Sequence, residues 1–283
     1  MNDDLQIDPG KLKLLVQRAL LEDLADAGDV TSNHILGAGQ RTTAEIVAKS
    51  AGTLAGRPVA DAVFRKMDEA LEINWLLDDG AKLEPGTVVA EIAGLAHSIM
   101  AAERVALNFL QHLSGVATLT SRFVAACAPH GVQLLCTRKT IPNLRAVQRY
   151  AVAVGGGNLH REGLYDAILI KTNHCKLAGG IAEAVKRSKA RSSMEVEVEV
   201  RTLDEMLQAA EAGAERVLLD NADLTTVEEA VRTKPEGIFL EVSGGVSLDT
   251  VGDIAALKPD AISVGRLTHS VAAVDLALHV TQE

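Results

Sequence analysis

The sequence predicts an α/β protein in which an N-terminal α/β sandwich domain is followed by an open or incomplete α/β barrel. From about residue 130, short apolar strands alternate with helical patterns at intervals of roughly 20 to 30 residues, which is typical of a parallel sheet. The earlier residues contain short alternating segments separated by Gly, Asp and Pro turns instead. The longest helical pattern, His97 to Leu119, joins the two regions.

The N-terminal region begins with an amphipathic helical pattern, Leu12 to Leu24, which gives way to a loop at Gly28-Asp29. Strand-like segments follow at 42–50, 52–59, 72–77 and 87–94 (TTAEIVAKS, GTLAGRPV, EINWLL and TVVAEIAG). We therefore expect residues 1–112 to form the sandwich domain. We also expect a C-terminal helix, at about 270–283, to pack on it.

Residues 113–269 are predicted to form the barrel. The strand candidates are VQLLCT (132–137), AILIK (167–171), MEVEVEV (194–200), RVLLD (216–220), IFLEVS (238–243) and AISVG (261–265). Thr202 to Glu205 forms a capping-box sequence that opens one of the intervening helices. Six units of strand and helix fit a closed or nearly closed barrel, with an open doubly wound sheet as the alternative.

Composition limits the class of partner. The formal net charge of −10 argues against nucleic acid or an anionic membrane as the main partner. No apolar run reaches the roughly 20 residues that a membrane helix needs, and the polar N-terminus is not typical of a signal peptide. The three cysteines lack the spacing of a metal site and are too few for a disulfide framework, so we expect a cytoplasmic protein.

The segment SMEVEVEVR, residues 193–201, places three carboxylates on one face of a predicted strand. Side chains alternate between the faces of a strand, so Glu195, Glu197 and Glu199 share one face and the valines the other. A half-exposed strand with a solvated acidic face explains the pattern equally well. Inside a barrel, Glu199 would reach the mouth while Glu195 and Glu197 would lie deeper. We expect Glu197 to pair with a lysine or an arginine, because an unpaired buried charge is too costly.

Polar residues stand where each predicted barrel strand ends, which is where active sites of such barrels lie. The cationic and hydrogen-bonding residues are Thr137, Arg138, Lys139, His160, Arg161 and Lys171. Clustered cations repel one another unless an anion binds them, and arginine suits carboxylates and phosphates. The anionic residues are Glu199 and Asp220. Two carboxylates on neighbouring strand ends suit Mg²⁺ or a cationic sugar intermediate.

Glycine-containing turns follow the last two predicted strands. They contain Ser243, Gly244 and Gly245 after one strand and Ser263 and Gly265 after the next. Such turns commonly hold phosphate, because their backbone N–H groups can approach the anion. The residues alone thus indicate an enzyme for a phosphorylated, multiply anionic substrate, and we expect Mg²⁺ as its cofactor. A decarboxylase or an isomerase fits as well as a transferase, and a non-catalytic phosphate-ligand sensor is the alternative from another class.

The order of these motifs resembles that of the quinolinate phosphoribosyltransferase family, also called nicotinate-nucleotide pyrophosphorylase (carboxylating). The resemblance is nearly end to end and lies in LLEDLADAGDVTS (20–32), AERVALNFLQHLSGVAT (102–118), LCTRKTIPNLR (135–145), GGGNLHREGLYDAILIKTNH (155–174), EVEVEV (195–200), VLLDN (217–221), LEVSGGV (240–246) and AISVGRLTHS (261–270). It implies a type II phosphoribosyltransferase fold. It also implies transfer of phosphoribose from 5-phosphoribosyl 1-pyrophosphate to quinolinate, with release of pyrophosphate and CO₂, giving nicotinate mononucleotide for NAD biosynthesis.

The resemblance also implies residue roles. Arg104 would reach a quinolinate carboxylate in the partner of a homodimer, which could assemble further. Arg138, His160 and Arg161 would line the dicarboxylate pocket with Thr137, while Lys139 and Lys171 would serve both substrate and pyrophosphate. Glu199 and Asp220 would face the ribose and Mg²⁺, and Lys139, Lys171, Glu199 and Asp220 would be the catalytic set. The phosphate would bind Ser243, Gly244, Gly245, Ser263, Gly265 and His269.

Four positions depart from the family pattern: Asn143, Leu159, Thr172 and Arg266. They surround the predicted site without removing its charged residues, and they bear on the choice of acceptor. The alternative within the enzymes is therefore a related phosphoribosyltransferase-fold enzyme that acts on another acceptor, like the paralogue associated with molybdenum transport operons.

Overall fold

The computed structural model describes residues 6–281, which fall into two compact units. The first comprises the chain up to Ser121, Thr140–Gly156 and the residues from Leu267 on; the second comprises Arg122–Lys139 and Gly157–Arg266. The helices are α1 Pro9–Leu24, α2 Val30–Ile35, α3 Arg57–Met67, α4 Ala96–Cys127, α5 Arg145–Val154, α6 Thr172–Ala178, α7 Ile181–Lys189, α8 Leu203–Glu211, α9 Leu224–Thr233, α10 Val251–Ala256 and α11 Arg266–His269. The strands are β1 Arg41–Ala48, β2 Gly52–Thr53, β3 Glu72–Trp75, β4 Lys82–Leu83, β5 Val88–Leu95, β6 Gln133–Leu135, β7 Ile168–Ile170, β8 Val196–Val200, β9 Arg216–Asp220, β10 Phe239–Ser243, β11 Ala261–Ser263 and β12 Leu276–Thr281.

The first unit contains a four-stranded antiparallel sheet in the order β12-β1-β5-β3. Its strands alternate buried and exposed residues, as in β1, where Ala44, Ile46 and Ala48 are buried. Helices α1 and α3 pack on one another in this unit. The predicted N-terminal helix and three of the four predicted strands are thus confirmed, with bounds shifted by a few residues.

Two sequence predictions in the first unit are wrong. The expected C-terminal helix is strand β12, whose pairing with β1 joins Ala48 to Leu276 and Thr43 to Thr281; residues 282–283 lie outside the described chain. A strand at this position forms hydrogen bonds with the backbone N–H and C=O groups on the edge of β1, which a helix would have left unpaired. The segment 52–59 is a strand only at Gly52–Thr53, because Pro58 stands in the first turn of α3, where its fixed φ favours a helix start.

The second unit contains a six-stranded parallel sheet in the order β6-β11-β10-β9-β8-β7. From β7 to β11 each strand lies beside its predecessor, and β6 then pairs with β11, as in a barrel that is wound in one direction. A doubly wound sheet would reverse its strand order. Among the described residues, β6 and β7 do not pair, and Asn158 forms a single bridge with Leu135 beside β6 instead. The structure therefore confirms an incomplete barrel.

Strand alternation decides which side chains face the barrel interior. The valines of β8, Val196, Val198 and Val200, are buried on one face, whereas Glu197 and Glu199 lie on the other. Parallel pairing puts Glu199 level with Leu218 and Glu241, and Asp220 level with Ser243. One face of the sheet thus collects polar residues of the three strands β8, β9 and β10. Within residues 6–281, no helix has both the length and the apolar character required to span a bilayer.

Candidate active site

A cavity of about 490 Å³ opens at the carboxyl ends of the barrel strands. All of its lining residues belong to the second unit. They are Thr137, Arg138, Lys139, His160, Arg161, Leu169, Lys171, Glu199, Leu218, Asp220, Asn221, Glu241, Ser243 and Ser263. The structure therefore brings together ten of the residues that the sequence predicted. Eight of them lie at or just after the ends of the six strands, and His160 and Arg161 lie in the segment that precedes β7.

Lys171 and Glu199 form the principal ion pair of the cavity. The Lys171 Nζ atom donates to Glu199 Oε2 at 2.6 Å, and the Thr172 hydroxyl donates to Glu199 Oε1 at 2.8 Å. Burial raises the pKa of Glu199, but the hydrogen bonds from Lys171 and Thr172 outweigh it and hold the pKa below its ordinary value. Glu199 is thus a fixed carboxylate, and Thr172, one of the departures from the family pattern, helps to orient it.

Asp220 and the serines form a second polar group. Asn221 Nδ2 donates to Asp220 Oδ2 at 2.9 Å, and the Asn221 N–H donates to the Ser243 carbonyl at 2.8 Å. The Ser263 hydroxyl donates to the Ser243 hydroxyl at 2.9 Å. Gly244 follows with a φ of +92°, and a Cβ there would lie 2.4 Å from Asn221 Oδ1, so glycine is required. Asn221 therefore links the end of β9 to the glycine turn after β10.

The cationic side of the cavity contains Arg138 and Arg161. Burial lowers the pKa of Arg161, and the positive charge of Arg138 lowers it further, although the group keeps its proton at neutral pH. The Arg161 guanidinium also donates to the Ala167 carbonyl at 3.1 Å, which orients it. Two neighbouring arginines in one cavity favour a ligand with carboxylate or phosphate groups.

Five predicted site residues are not among those that line the cavity, although all lie within the described chain. Gly244, Gly245 and Gly265 occupy the turns just beyond β10 and β11. Arg104 and His269 belong to the first unit; Arg104 is exposed on α4, and His269 is exposed with Nδ1 2.7 Å from the Ser270 hydroxyl. The roles predicted for these five residues stay predictions.

Sequence reasoning on the row of glutamates was partly wrong. Glu195 precedes β8 and is exposed, so it does not lie in the barrel interior. Glu197 is buried, and Arg216 lies 3.8 Å from it, which confirms the expected pairing with a cation. The Nε2 atom of His160 lies closer to Glu197, at 3.0 Å.

Glu241 and Asn221 also line the cavity, and sequence reasoning missed both. Glu241 had a readable signal, because it stands two residues before Ser243 on the same strand and must share its face. Asn221 has a φ of +57°, a backbone conformation that asparagine tolerates better than most residues. Its contacts join two strands, so the pattern of one strand cannot reveal them.

The donor set of the cavity fits a hard divalent cation. Glu199 and Asp220 offer carboxylate oxygens, the ligands that Mg²⁺ prefers. Glu199 accepts hydrogen bonds from Lys171 and Thr172, whereas Asp220 accepts one from Asn221. Asp220 and Glu199 are therefore the residues that would hold such an ion.

Family models match most of the chain. The family model for "Quinolinate phosphoribosyl transferase, N-terminal domain" matches residues 29–114, and the model for the C-terminal domain matches residues 116–279. The chain belongs to the quinolinate phosphoribosyltransferase family.

Individual members of the family are similar over almost the whole chain. A quinolinate phosphoribosyltransferase [decarboxylating] of Nicotiana tabacum is 39% identical over 96% of this chain and 83% of its own length. A probable nicotinate-nucleotide pyrophosphorylase [carboxylating] of Bacillus subtilis is 40% identical over 96% of this chain and 94% of its own. The solved structure of the nicotinate-nucleotide pyrophosphorylase from Francisella tularensis is 40% identical in sequence and has a TM-score of 0.94. The match covers 99% of this chain and 100% of the Francisella chain. This similarity agrees with the incomplete barrel described above.

Proposed function

We propose that this member of the family transfers phosphoribose from 5-phosphoribosyl 1-pyrophosphate to quinolinate. Pyrophosphate and CO₂ leave, and nicotinate mononucleotide is formed for NAD biosynthesis. The observation that carries the proposal is the division of charge within one cavity, where Arg138 and Arg161 face Glu199 and Asp220. The arginines suit the two carboxylates of the acceptor, and the carboxylates suit a ribosyl carbon that becomes cationic.

The chain's own groups act mainly by binding and by electrostatic stabilisation. Departure of pyrophosphate leaves positive charge at the ribosyl C1 atom, which Glu199 and Asp220 stabilise from fixed positions. The pyridine nitrogen then forms its bond to C1. With that nitrogen quaternary, the adjacent carboxylate leaves as CO₂, the electron pair stays on the ring carbon, and that carbon takes a proton. Lys139 and Lys171 compensate the negative charge of the departing pyrophosphate.

Glu199 and Asp220 are also the residues that would hold Mg²⁺. When bound, the ion supplies charge neutralisation to the pyrophosphate group. The phosphate at the other end of the ribose would bind the hydroxyls of Ser243 and Ser263 and the backbone of Gly244, Gly245 and Gly265.

The proposed assembly is a homodimer in which Arg104 of one chain completes the cavity of its partner. The Arg104 side chain is 59% exposed, and the contact that the structure shows for it is a weak one with Glu103 at 4.0 Å. An exposed arginine of this kind can bind a carboxylate that its own barrel does not hold. A cytoplasmic location remains our expectation from the sequence.

Product analysis tests the proposal directly. The purified chain is incubated with quinolinate, 5-phosphoribosyl 1-pyrophosphate and Mg²⁺, and the mononucleotide is quantified by mass spectrometry beside parallel reactions with nicotinate or with excess chelator. We expect product from quinolinate only, and little in chelator. Equal turnover of nicotinate would contradict the acceptor assignment, and full turnover in chelator would contradict the metal assignment.

A further inference from the structure

Three hydrogen bonds hold the carboxylate of Glu199, and its two oxygens have different partners. Oε2 accepts from the Lys171 ammonium at 2.6 Å. Oε1 accepts from both the hydroxyl and the backbone N–H of Thr172, at 2.8 Å and 3.3 Å. The Glu199 side chain is only 13% exposed, whereas that of Lys171 is 42% exposed. One threonine therefore holds one oxygen of a confined carboxylate, and the cavity lysine contacts the other.

The backbone places Thr172 beside Glu199 independently of the threonine side chain. Strands β7 and β8 pair in parallel with Ile170 beside Val198, so Lys171 and Glu199 leave the sheet at the same level. Thr172 then begins α6, where the first backbone N–H groups have no partner within the helix, and it donates its own to Glu199. A substitution that removes the hydroxyl alone should therefore leave the fold unchanged.

The hydroxyl of Thr172 opposes the attraction between Glu199 and Lys171. Opposite charges attract one another more strongly in a cavity that excludes water than at an open surface. Both oxygens of a carboxylate carry the negative charge, so without the hydroxyl Glu199 would turn its second oxygen to the ammonium as well. The ammonium has three N–H donors, and its present hydrogen bond to Glu199 uses one of them. A closer pair would take a second donor that an anionic ligand could otherwise accept from.

From this geometry we propose that Thr172 is a positioning residue that keeps Glu199 from closing on Lys171. It fixes Oε1, so that Oε2 serves the ribosyl centre and the ammonium serves the departing pyrophosphate. The inference rests on the proposed function, and it gives Thr172 a part in the transfer step although Thr172 is not among the residues that line the cavity. Because Thr172 departs from the family pattern, this role belongs to the present chain and not to the family as a whole.

The test compares two substitutions that separate the hydroxyl of Thr172 from the shape of its side chain. Thr172→Val keeps the branched shape and removes the hydroxyl, whereas Thr172→Ser keeps the hydroxyl and removes a methyl group. We expect Thr172→Val to lower kcat about tenfold, because hydrogen bonds to charged groups are among the stronger ones in proteins. Thr172→Ser should retain more than about half of kcat. The KM for quinolinate should stay within about twofold in both variants, because Arg138 and Arg161 bind that substrate.

Thr226→Val is the matched control. Thr226 also stands in the first turn of a helix of the second unit, and both its backbone N–H and its side chain hydrogen-bond to one carboxylate, that of Asp223. Neither residue is among those that line the cavity, so this variant should keep the kcat of the unmodified chain. The opposite order, with Thr172→Val active and Thr172→Ser impaired, would show that packing matters and not the hydroxyl, and it would overturn the inference. An unchanged kcat in both variants would overturn it as well.

A crystal structure of Thr172→Val provides a readout that does not depend on turnover. We expect the Glu199 side chain to turn until both oxygens lie within hydrogen-bonding distance of the Lys171 Nζ atom, and we expect its present position in Thr172→Ser. Should Thr172→Val not fold, Thr172→Ala, which also lacks the hydroxyl, takes its place. A Glu199 side chain that keeps its position without the hydroxyl would refute the inference. The expected rotation in a chain that shows no turnover of quinolinate would instead refute the proposed function.

Discussion

Replacement of Glu199 by glutamine should remove charge stabilisation from the reacting ribosyl centre while keeping the shape of the cavity. The amide can still accept from Thr172 through one atom, but it places an NH₂ group against the Lys171 ammonium. The positions of the backbone and of β8 should not change, because Val196, Val198 and Val200 on the opposite face determine them.

The size of the effect follows from the carboxylate's distance to the reacting carbon. At roughly 5 Å and an effective dielectric constant of about 20, the attraction between unit charges is about 3 kcal/mol. Loss of that stabilisation in the transition state lowers kcat by roughly a hundredfold. The ion pair with Lys171, whose side chain is 42% exposed, should add only about 1 kcal/mol to the stability of the fold.

The assay measures kcat for pyrophosphate release and the Kd for the ribosyl donor, together with the thermal midpoint. We expect kcat to fall roughly a hundredfold, the Kd to change less than about tenfold, and the midpoint to move by a few degrees. Glu215→Gln serves as the control, because it also converts the glutamate of a Glu–Lys pair to an amide. A variant at Glu199 that kept more than half of kcat would refute the role of the carboxylate.

Three further predictions concern the dimer, the glycine turn after β10 and the buried His112. Arg104→Ala and Lys139→Ala should each be nearly inactive, yet mixing the two should restore about a quarter of the activity through hybrid dimers with one intact site; no recovery would contradict the shared site. Gly244→Ala should raise the KM for the ribosyl donor by about tenfold or more, because its Cβ would meet Asn221 at 2.4 Å; an unchanged KM would exclude a close phosphate approach at that turn. Burial lowers the pKa of His112, so its protonation opposes the folded state, and stability should fall as the pH drops below 6.5. If the thermal midpoint of His112→Gln falls by as much as that of the unmodified chain over this pH range, the prediction is wrong.

Much of the fold was predictable from local pattern. The six barrel strands were found because buried parallel strands are short apolar runs with helices between them. Strand β12 was mistaken for a helix, because nothing within 270–283 shows that β1 has an edge open for pairing. Such long-range pairing depends on the sheet and not on the segment itself.

Some residues of the candidate site could likewise be predicted from the sequence, and others could not. Lys171, Glu199 and Asp220 could be predicted because they end their strands, and barrel mouths collect strand ends. The link from Glu241 to His160 could not be predicted, because it joins β10 to a loop that is distant in sequence. Glu195 looked equivalent to Glu199 by alternation, but β8 begins only at Val196, so the pattern extends beyond the strand.

Release of labelled CO₂ tests whether one cavity joins ribosyl transfer to the loss of a carboxylate. Quinolinate labelled at the carboxylate beside the ring nitrogen is supplied with Mg²⁺, with and without 5-phosphoribosyl 1-pyrophosphate. We predict labelled CO₂ only when the donor is present, in a one-to-one ratio with pyrophosphate, and roughly a hundredfold more slowly in Glu199→Gln. Pyrophosphate release without CO₂, or CO₂ release without the donor, would contradict it.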